Sequence, residues 1–369
     1  MSPGYLRCSF LSCFLVLAAL FLQSSSAVFA AQPQEEPPAT ALITRRAIAF
    51  NPVNGKIYAV DESRGAVSII DTATNSTETV TVGAGPDALA VNAHTGTVYV
   101  VNSSAGTASV LDGKTDKVIA TIPAGPHPYV LAVDDVTNKV YVTNTFSDQV
   151  AVIDGAANTV SMMKLGSADN VVVDPSTDRI VFLGYEVPDL KILNGTNGST
   201  EKAHVGEHLW GLAINEATGT AYVTRTGNAE VVVLDKNLRN KTTIPVGSIP
   251  CAVAVDSKRN RVYVANYGDN SVTVIDGEKH STLATVKVGL GPQAIAVDAK
   301  ANLIYVANTH GNSVTVIDGD RYTPIETLPS GSNPFAIAVV PGSGRLYVAN
   351  FGRPSVTAVD LPAAGKAAH

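Results

Sequence analysis

One unit of about forty-one residues recurs eight times after residue 42, and that repeat constrains the fold more than any other feature. Each copy can be anchored on the last apolar residue of a strand resembling Ile-Ala-Val-Asp: Phe50, Val91, Val133, Val173, Ile214, Val255, Val297 and Val339. Successive anchors are 41, 42, 40, 41, 41, 42 and 42 residues apart. Eight residues past the anchor stands Tyr58, Tyr99, Tyr141, Tyr222, Tyr263, Tyr305 or Tyr347; the fourth copy has Val181. Three further on come Asp61, Asn102, Asn144, Gly184, Arg225, Asn266, Asn308 and Asn350. At twenty-one past the anchor are Asp71, Asp112, Asp154, Asn194, Asp235, Asp276, Asp318 and Asp360. A period of this length means stacked units, each unable to bury its apolar face alone.

Within a unit the pattern is that of strands. A small apolar strand such as Ala294 to Val297 precedes a polar turn, and a second strand carries the Tyr. A third, such as Ser271 to Ile275, alternates apolar and polar residues, and a fourth, such as Ser281 to Val288, follows an Asp turn. Alternation, β-branched residues and turn signals every 8 to 12 residues are strand signals, and no segment sustains a 3.6-residue apolar period. Four strands in about forty residues predict an all-β fold, a β-propeller of four-stranded antiparallel blades. Eight first strands predict eight blades, with seven as the alternative. The last copy has no good fourth strand, so closure is expected to use Ala39 to Thr44 beside Ser355 to Val359, against the handicap of Pro37 and Pro38.

The strings KVYVTN (139–144), RVYVAN (261–266), LIYVAN (303–308) and RLYVAN (345–350), with the SVTVID strings that follow, resemble the YVTN β-propeller repeat family. The resemblance covers about residues 43 to 361. It implies a propeller, commonly on extracytoplasmic proteins of bacteria and archaea, and no single function: related propellers serve as binding scaffolds, cofactor holders and polysaccharide lyases. It also implies that the loops between blades and the second-to-third loops emerge at one end of the channel.

The termini read differently. Arg7 precedes an apolar run, Phe10 to Leu22, too short to span a bilayer, and Val28-Phe29-Ala30 suits a signal-peptidase site. Residues 1–30 are therefore expected to be a signal peptide, 31–41 a Pro/Glu-rich linker, 42–361 the propeller and 362–369 a tail. The protein is expected to be secreted or periplasmic, with no transmembrane segment after cleavage. Of three cysteines only Cys251 would remain, so no intrachain disulfide is expected. A net charge of -6 argues against a nucleic-acid partner. The charged fraction, 16% against the roughly 25% usual for soluble domains, fits strands buried on both faces.

Residues that recur in nearly every copy are expected to be structural: the Asp as an Asx turn, the Tyr as inter-blade packing, the Asn as a loop clamp, and the glycine eight before the anchor as a backbone turn. A site used once should break the repeat. Four before the anchor the series is Arg46, Asp87, Tyr129, Asp169, Trp210, Cys251, Gln293 and Phe335. His127 and His208 lie six before it, and the second-to-third loops add Phe146, Tyr185, Glu186, Arg225, Tyr267, His310, Phe351 and Arg353. In the fourth copy Val181-Phe-Leu-Gly184 replaces the Tyr-x-x-Asn pattern, which either specialisation or drift would produce.

Three functions stay open. In the first, the protein binds a small ligand, glycan or protein: Tyr129, Trp210, Tyr185, Tyr267 and Phe351 stack on it, and Glu186, Arg225 and Arg353 supply polar contacts. In the second it is a polysaccharide lyase or hydrolase, with His127, His208 or His310 as base, Tyr267 or Tyr185 as acid, and Arg225 or Arg353 stabilising the anion. In the third the same three histidines hold a metal or cofactor, although the sequence requires none.

Overall fold

The computed structural model describes residues 46–239, 241–352 and 355–361. The expected signal peptide, linker, tail and closing strand Ala39 to Thr44 lie outside the described residues, as does Arg353. The described chain is an eight-bladed β-propeller. Seven blades are four-stranded antiparallel meanders, and the described residues of the eighth form three strands in the same order.

The first strand of every blade is innermost. These strands are Ile48–Asn51, Pro86–Val91, Pro128–Asp134, Asn170–Asp174, Leu209–Asn215, Pro250–Asp256, Pro292–Asp298 and Pro334–Val340. Each packs against its counterparts in both neighbouring blades, and Ile48–Asn51 meets Pro334–Val340, so the ring closes at eight rather than seven. The joint between blades 8 and 1 is apolar, with Ile48, Ile57 and Ala59 against Phe335, Ala336 and Tyr347. It also carries hydrogen bonds: Tyr347 Oη donates to Asn75 Oδ1 at 2.9 Å, and Arg345 Nη1 donates to the Thr72 carbonyl at 2.9 Å and, more weakly, to Asn75 Oδ1 at 3.4 Å.

The recurrent residues explain how blades hold their shape. All seven repeat tyrosines are fully buried between blades. The Asp at the end of the third strand in blades 1, 2, 3, 6 and 7 accepts backbone N–H groups two and three residues on, as Asp276 does from Glu278 and Lys279 at 2.9 and 3.0 Å; Asp235 in blade 5 accepts from residues two and four on. Asn194 does the same in blade 4, from Thr196 and Asn197. The Asn clamp spans strands more than loops. Asn266 Nδ2 donates to Ser271 Oγ and Thr273 Oγ1 at 3.0 and 2.9 Å, and Asn308 repeats this with Ser313 and Thr315. Blade 3 has Gln149 and Ala151 at the equivalent positions, and there Asn144 Nδ2 turns to the Ala124 carbonyl at 2.8 Å.

The repeat glycine is required mainly by this clamp. A Cβ on Gly289 would lie 2.6 Å from Asn308 Nδ2, and Gly289 is not in the left-handed region, so crowding rather than a turn excludes a side chain. Only in blades 3, 4 and 5 does the glycine also have positive φ, as at Gly125 with φ of 110°.

Candidate functional site

The two sets of variable loops do share one end. The loops are tied in pairs within a blade: Thr145 N–H donates to the His127 carbonyl, Thr226 to His208, Tyr267 to Ile249 and Thr309 to Gly291, at 2.8 to 3.0 Å. Aromatic and imidazole rings collect on blades 4 to 7 of this face. Tyr185 stands edge-on to His208 and to Trp210, with ring centres 5.6 and 5.0 Å apart. Tyr267 meets His310 edge-on at 5.5 Å, and its hydroxyl lies 3.1 Å from His310 Nε2. Burial holds that hydroxyl above its usual pKa range.

These contacts decide which rings can meet a ligand. Trp210 is 5% exposed and Tyr267 7%, packed together around Cys251 and Ala252, so neither presents an open face for stacking. Tyr129 is partly buried in the blade 3–4 core. Phe351 stacks on Phe335 with centres 4.1 Å apart, yet remains 52% exposed. Glu186 is exposed at the tip of its loop, as is Phe146.

Arg225 occupies the Asn clamp position of blade 5 and does the same work. Its Nη1 donates to Glu230, which stands where other blades have the clamped hydroxyl. The Arg225 charge is thus neutralised inside its own blade. The three candidate histidines lie on blades 3, 5 and 7. Among the described residues no three or more His, Cys, Asp or Glu are placed to hold a metal ion. His208 occupies a left-handed backbone position, φ of 58°, which Gly85, Ile249, Gly291 and Asn333 fill in other blades. Its ring is therefore presented at a conformational cost of about 1–2 kcal/mol. Cys251 is fully buried, donates toward the Pro292 carbonyl at 3.2 Å, and is pushed up to about 12 by burial, which makes it inert as a nucleophile.

The channel itself holds what sequence reasoning placed at the rim and did not select. A cavity of about 370 Å³ runs along the inner strands, with Ile48, Leu89, Leu212, Val253, Ile295 and Ile337 among its walls and Arg46 and Asn170 as its polar groups. Arg46 reaches across from blade 1, its Nη1 and Nη2 donating to the carbonyls of Leu131 on blade 3 and Val171 on blade 4 at 2.9 and 3.0 Å. Burial pulls its pKa down to about 10. The available signal was the rim series, in which Arg46 is the one base. A second cavity of about 440 Å³ adjoins through Phe335 and is lined by Glu62, Asp87 and Phe351. Grooves of similar size also lie at the outer rim, between blades 4 and 5 beside Arg179, Glu201 and Arg239; they are gaps between outer strands. Among the described residues no helix is long and apolar enough to cross a membrane.

The fold has wide company among solved structures. Hydrazine synthase of Kuenenia stuttgartiensis is 17% identical with a TM-score of 0.59, covering 90% of this chain and 99% of its own. Dihydro-heme d1 dehydrogenase NirN, solved in complex with DHE, is 16% identical with a TM-score of 0.70, covering 88% and 74%. A functionally unknown protein from Desulfotomaculum acetoxidans DSM 771 is 12% identical with a TM-score of 0.60, covering 74% and 96%. At such identities the likeness is one of fold. No curated protein matches the chain. The profile of the YncE-like beta-propeller family matches residues 87–367, from the start of blade 2 past the end of blade 8, and the chain belongs to that family.

Proposed function

We propose that this protein is an exported binding protein whose ligand enters the channel at the variable-loop end and seats in the inner-strand cavity. The carrying observation is the cavity of about 370 Å³ on the inner strands, where aliphatic side chains stand beside Arg46 and Asn170, a volume within the usual range for small-molecule sites. The apolar run Phe10 to Leu22 supports export. Exposed Phe351 and Glu186 on the same face supply contacts at the mouth. NirN, a propeller of the same fold, was solved with a bound small molecule, which is compatible with this use of the scaffold.

Native mass spectrometry of the mature protein after exposure to a small-molecule extract tests this reading. The wild type is expected to retain a ligand. Val253→Phe and Ile337→Phe fill the cavity from two blades and are expected to abolish retention while leaving the melting temperature within a few degrees. A ligand retained equally by both variants would place binding elsewhere.

A second reading, a polysaccharide lyase, is favoured by one observation, the Tyr267 hydroxyl 3.1 Å from His310 Nε2. That pair could move a proton at a substrate lying on blades 6 and 7. It predicts unsaturated-uronate absorbance from an anionic polysaccharide, lost in His310→Ala.

A further inference from the structure

The Arg46 guanidinium is a cation in the channel, and among the described residues it has no ion-pair partner. Its hydrogen bonds go to two backbone carbonyls. Of the acids in the same rim series, Asp169 accepts the Tyr185 N–H at 2.9 Å. Arg46 is only partly exposed, and a partly desolvated charge without a counter-charge is unfavourable; the two carbonyl dipoles offset part of that cost. A guanidinium carries five N–H donors in a fixed fork. Two are used on the carbonyls, which hold the side chain across the ring from blade 1 to blades 3 and 4, and three remain.

Asn170 is the other polar group of the cavity. Its Oδ1 accepts the Val171 N–H at 2.8 Å, which leaves the Nδ2 amide as a donor. Donors are thus concentrated toward blades 1 and 4, while the remaining wall is aliphatic: Leu212, Val253, Ile295 and Ile337 on blades 5 to 8. The cavity is amphipathic, cationic at one side and apolar at the other. At about 30 Å³ per non-hydrogen atom, the volume of a water in the liquid, 370 Å³ holds on the order of a dozen such atoms.

We propose that the channel takes a small organic carboxylate, its anionic end on the Arg46 guanidinium and the Asn170 carboxamide, its apolar body against the aliphatic inner strands of blades 5 to 8. This rests on the binding reading above and adds the chemical class of the ligand. Guanidinium and carboxylate match in geometry through paired N–H donors, and the pairing is stronger where water is excluded. The apolar wall then separates such a ligand from a bare inorganic anion, which would gain nothing from it.

Calorimetric titration of the mature protein with octanoate and 3-phenylpropanoate tests the class, alongside their neutral amides, octylamine and inorganic phosphate. The carboxylates are expected to bind at least tenfold more tightly than the amides, and octylamine and phosphate not measurably. Arg46→Met is expected to erase the preference for carboxylate over amide, and Arg46→Lys to reduce it several-fold, since a point charge replaces the fork. The lysine variant also keeps the test alive if the methionine variant fails to fold. Val253→Phe is expected to remove binding of every probe. Equal affinity for carboxylate and amide, tight phosphate binding, an unchanged preference in Arg46→Lys, or no binding by any probe would each overturn the proposal. Equal affinities abolished by Val253→Phe would overturn the ligand class alone and leave the cavity as a binding site. A ligand from the extract that is neutral or cationic would have the same effect.

Discussion

At the scale of single residues the repeat is held by two short-range devices. The Asx turns were legible because they are local: an Asp followed by two or three turn residues folds onto its own backbone. Their N–H donors hold the Asp276 carboxyl below its ordinary pKa, despite partial burial that pushes the other way. A depressed carboxylate contributes stability that is fully present above the unfolded value, about 3.9, and is lost as pH falls through the folded value. Asp276→Asn keeps an oxygen acceptor, as Asn194 shows in blade 4. The turn should therefore survive, but the contribution of the charge, including its ion pair with Arg261 at 3.5 Å, should be lost: neutral-pH stability falls modestly and the loss of stability below about pH 4 flattens. Urea midpoints of both proteins from pH 2 to 7 check this; parallel curves would mean the turn contributes nothing to the acid limb. The clamp was only half legible. Asn at eleven past the anchor suggested loop backbone, whereas its partners are hydroxyls at sixteen and eighteen past it, on a strand whose register had first to be known. Gly289→Ala tests the crowding directly. It should cost about 1–3 kcal/mol, the range for overpacking. Adding Asn308→Gly should recover part of that loss, because the clash is with the Asn308 side chain from Cβ to Nδ2. A cost unchanged in the double variant would point to the backbone instead.

At the scale of the blade, the departures turn out to be repairs. Blade 4 has Gly184 in place of the Asn, and Lys191 where other blades carry a clamped hydroxyl. Lys191 Nζ reaches the Ser167 carbonyl at 2.9 Å, bridging third strand and inter-blade loop from the other direction. Burial, with Lys202 nearby, lowers its pKa. Blade 5 uses an Arg225–Glu230 pair for the same joint. Sequence alone left blade 4 open to specialisation or drift; the geometry shows compensation, since both altered positions act on one joint. Lys191→Met, which keeps the stem and removes the donor, should destabilise by about 1 kcal/mol, less than a buried charged bond because the amine is half exposed. A urea midpoint equal to that of wild type would mean the bond is idle. The same blade-level logic limits the site. Which face the aromatic residues occupy followed from the repeat. Whether Trp210 and Tyr267 are covered did not, because their cover comes from neighbouring blades.

At the scale of the whole ring, what periodicity could not supply is contact across it. Arg46 meets carbonyls 85 and 125 residues away, and no local pattern encodes such a reach. Closure is the same kind of problem. Blade count followed from spacing, but the meeting of blades 8 and 1 depends on residues some 270 positions apart, and the described structure closes it through packed inner strands and the Tyr347–Asn75 bond. Tyr305, the equivalent residue in blade 7, is as deeply buried and its hydroxyl has no hydrogen-bond partner among the described residues. Phenylalanine at the two positions therefore separates packing from bonding. Tyr305→Phe removes an unpaired buried hydroxyl and should be neutral or slightly stabilising. Tyr347→Phe leaves Asn75 with only the longer bond from Arg345 Nη1 and should cost about 0.5–1.5 kcal/mol. A double-mutant cycle with Asn75→Ala isolates the pair, because the Arg345–Asn75 bond is lost with Asn75 whether or not the tyrosine hydroxyl is present and so cancels. A coupling energy near 1 kcal/mol in urea unfolding would show blades 8 and 1 joined in solution as they are in the structure. Coupling indistinguishable from zero, with Tyr347→Phe no worse than Tyr305→Phe, would mean the ring's last joint is held by apolar packing alone.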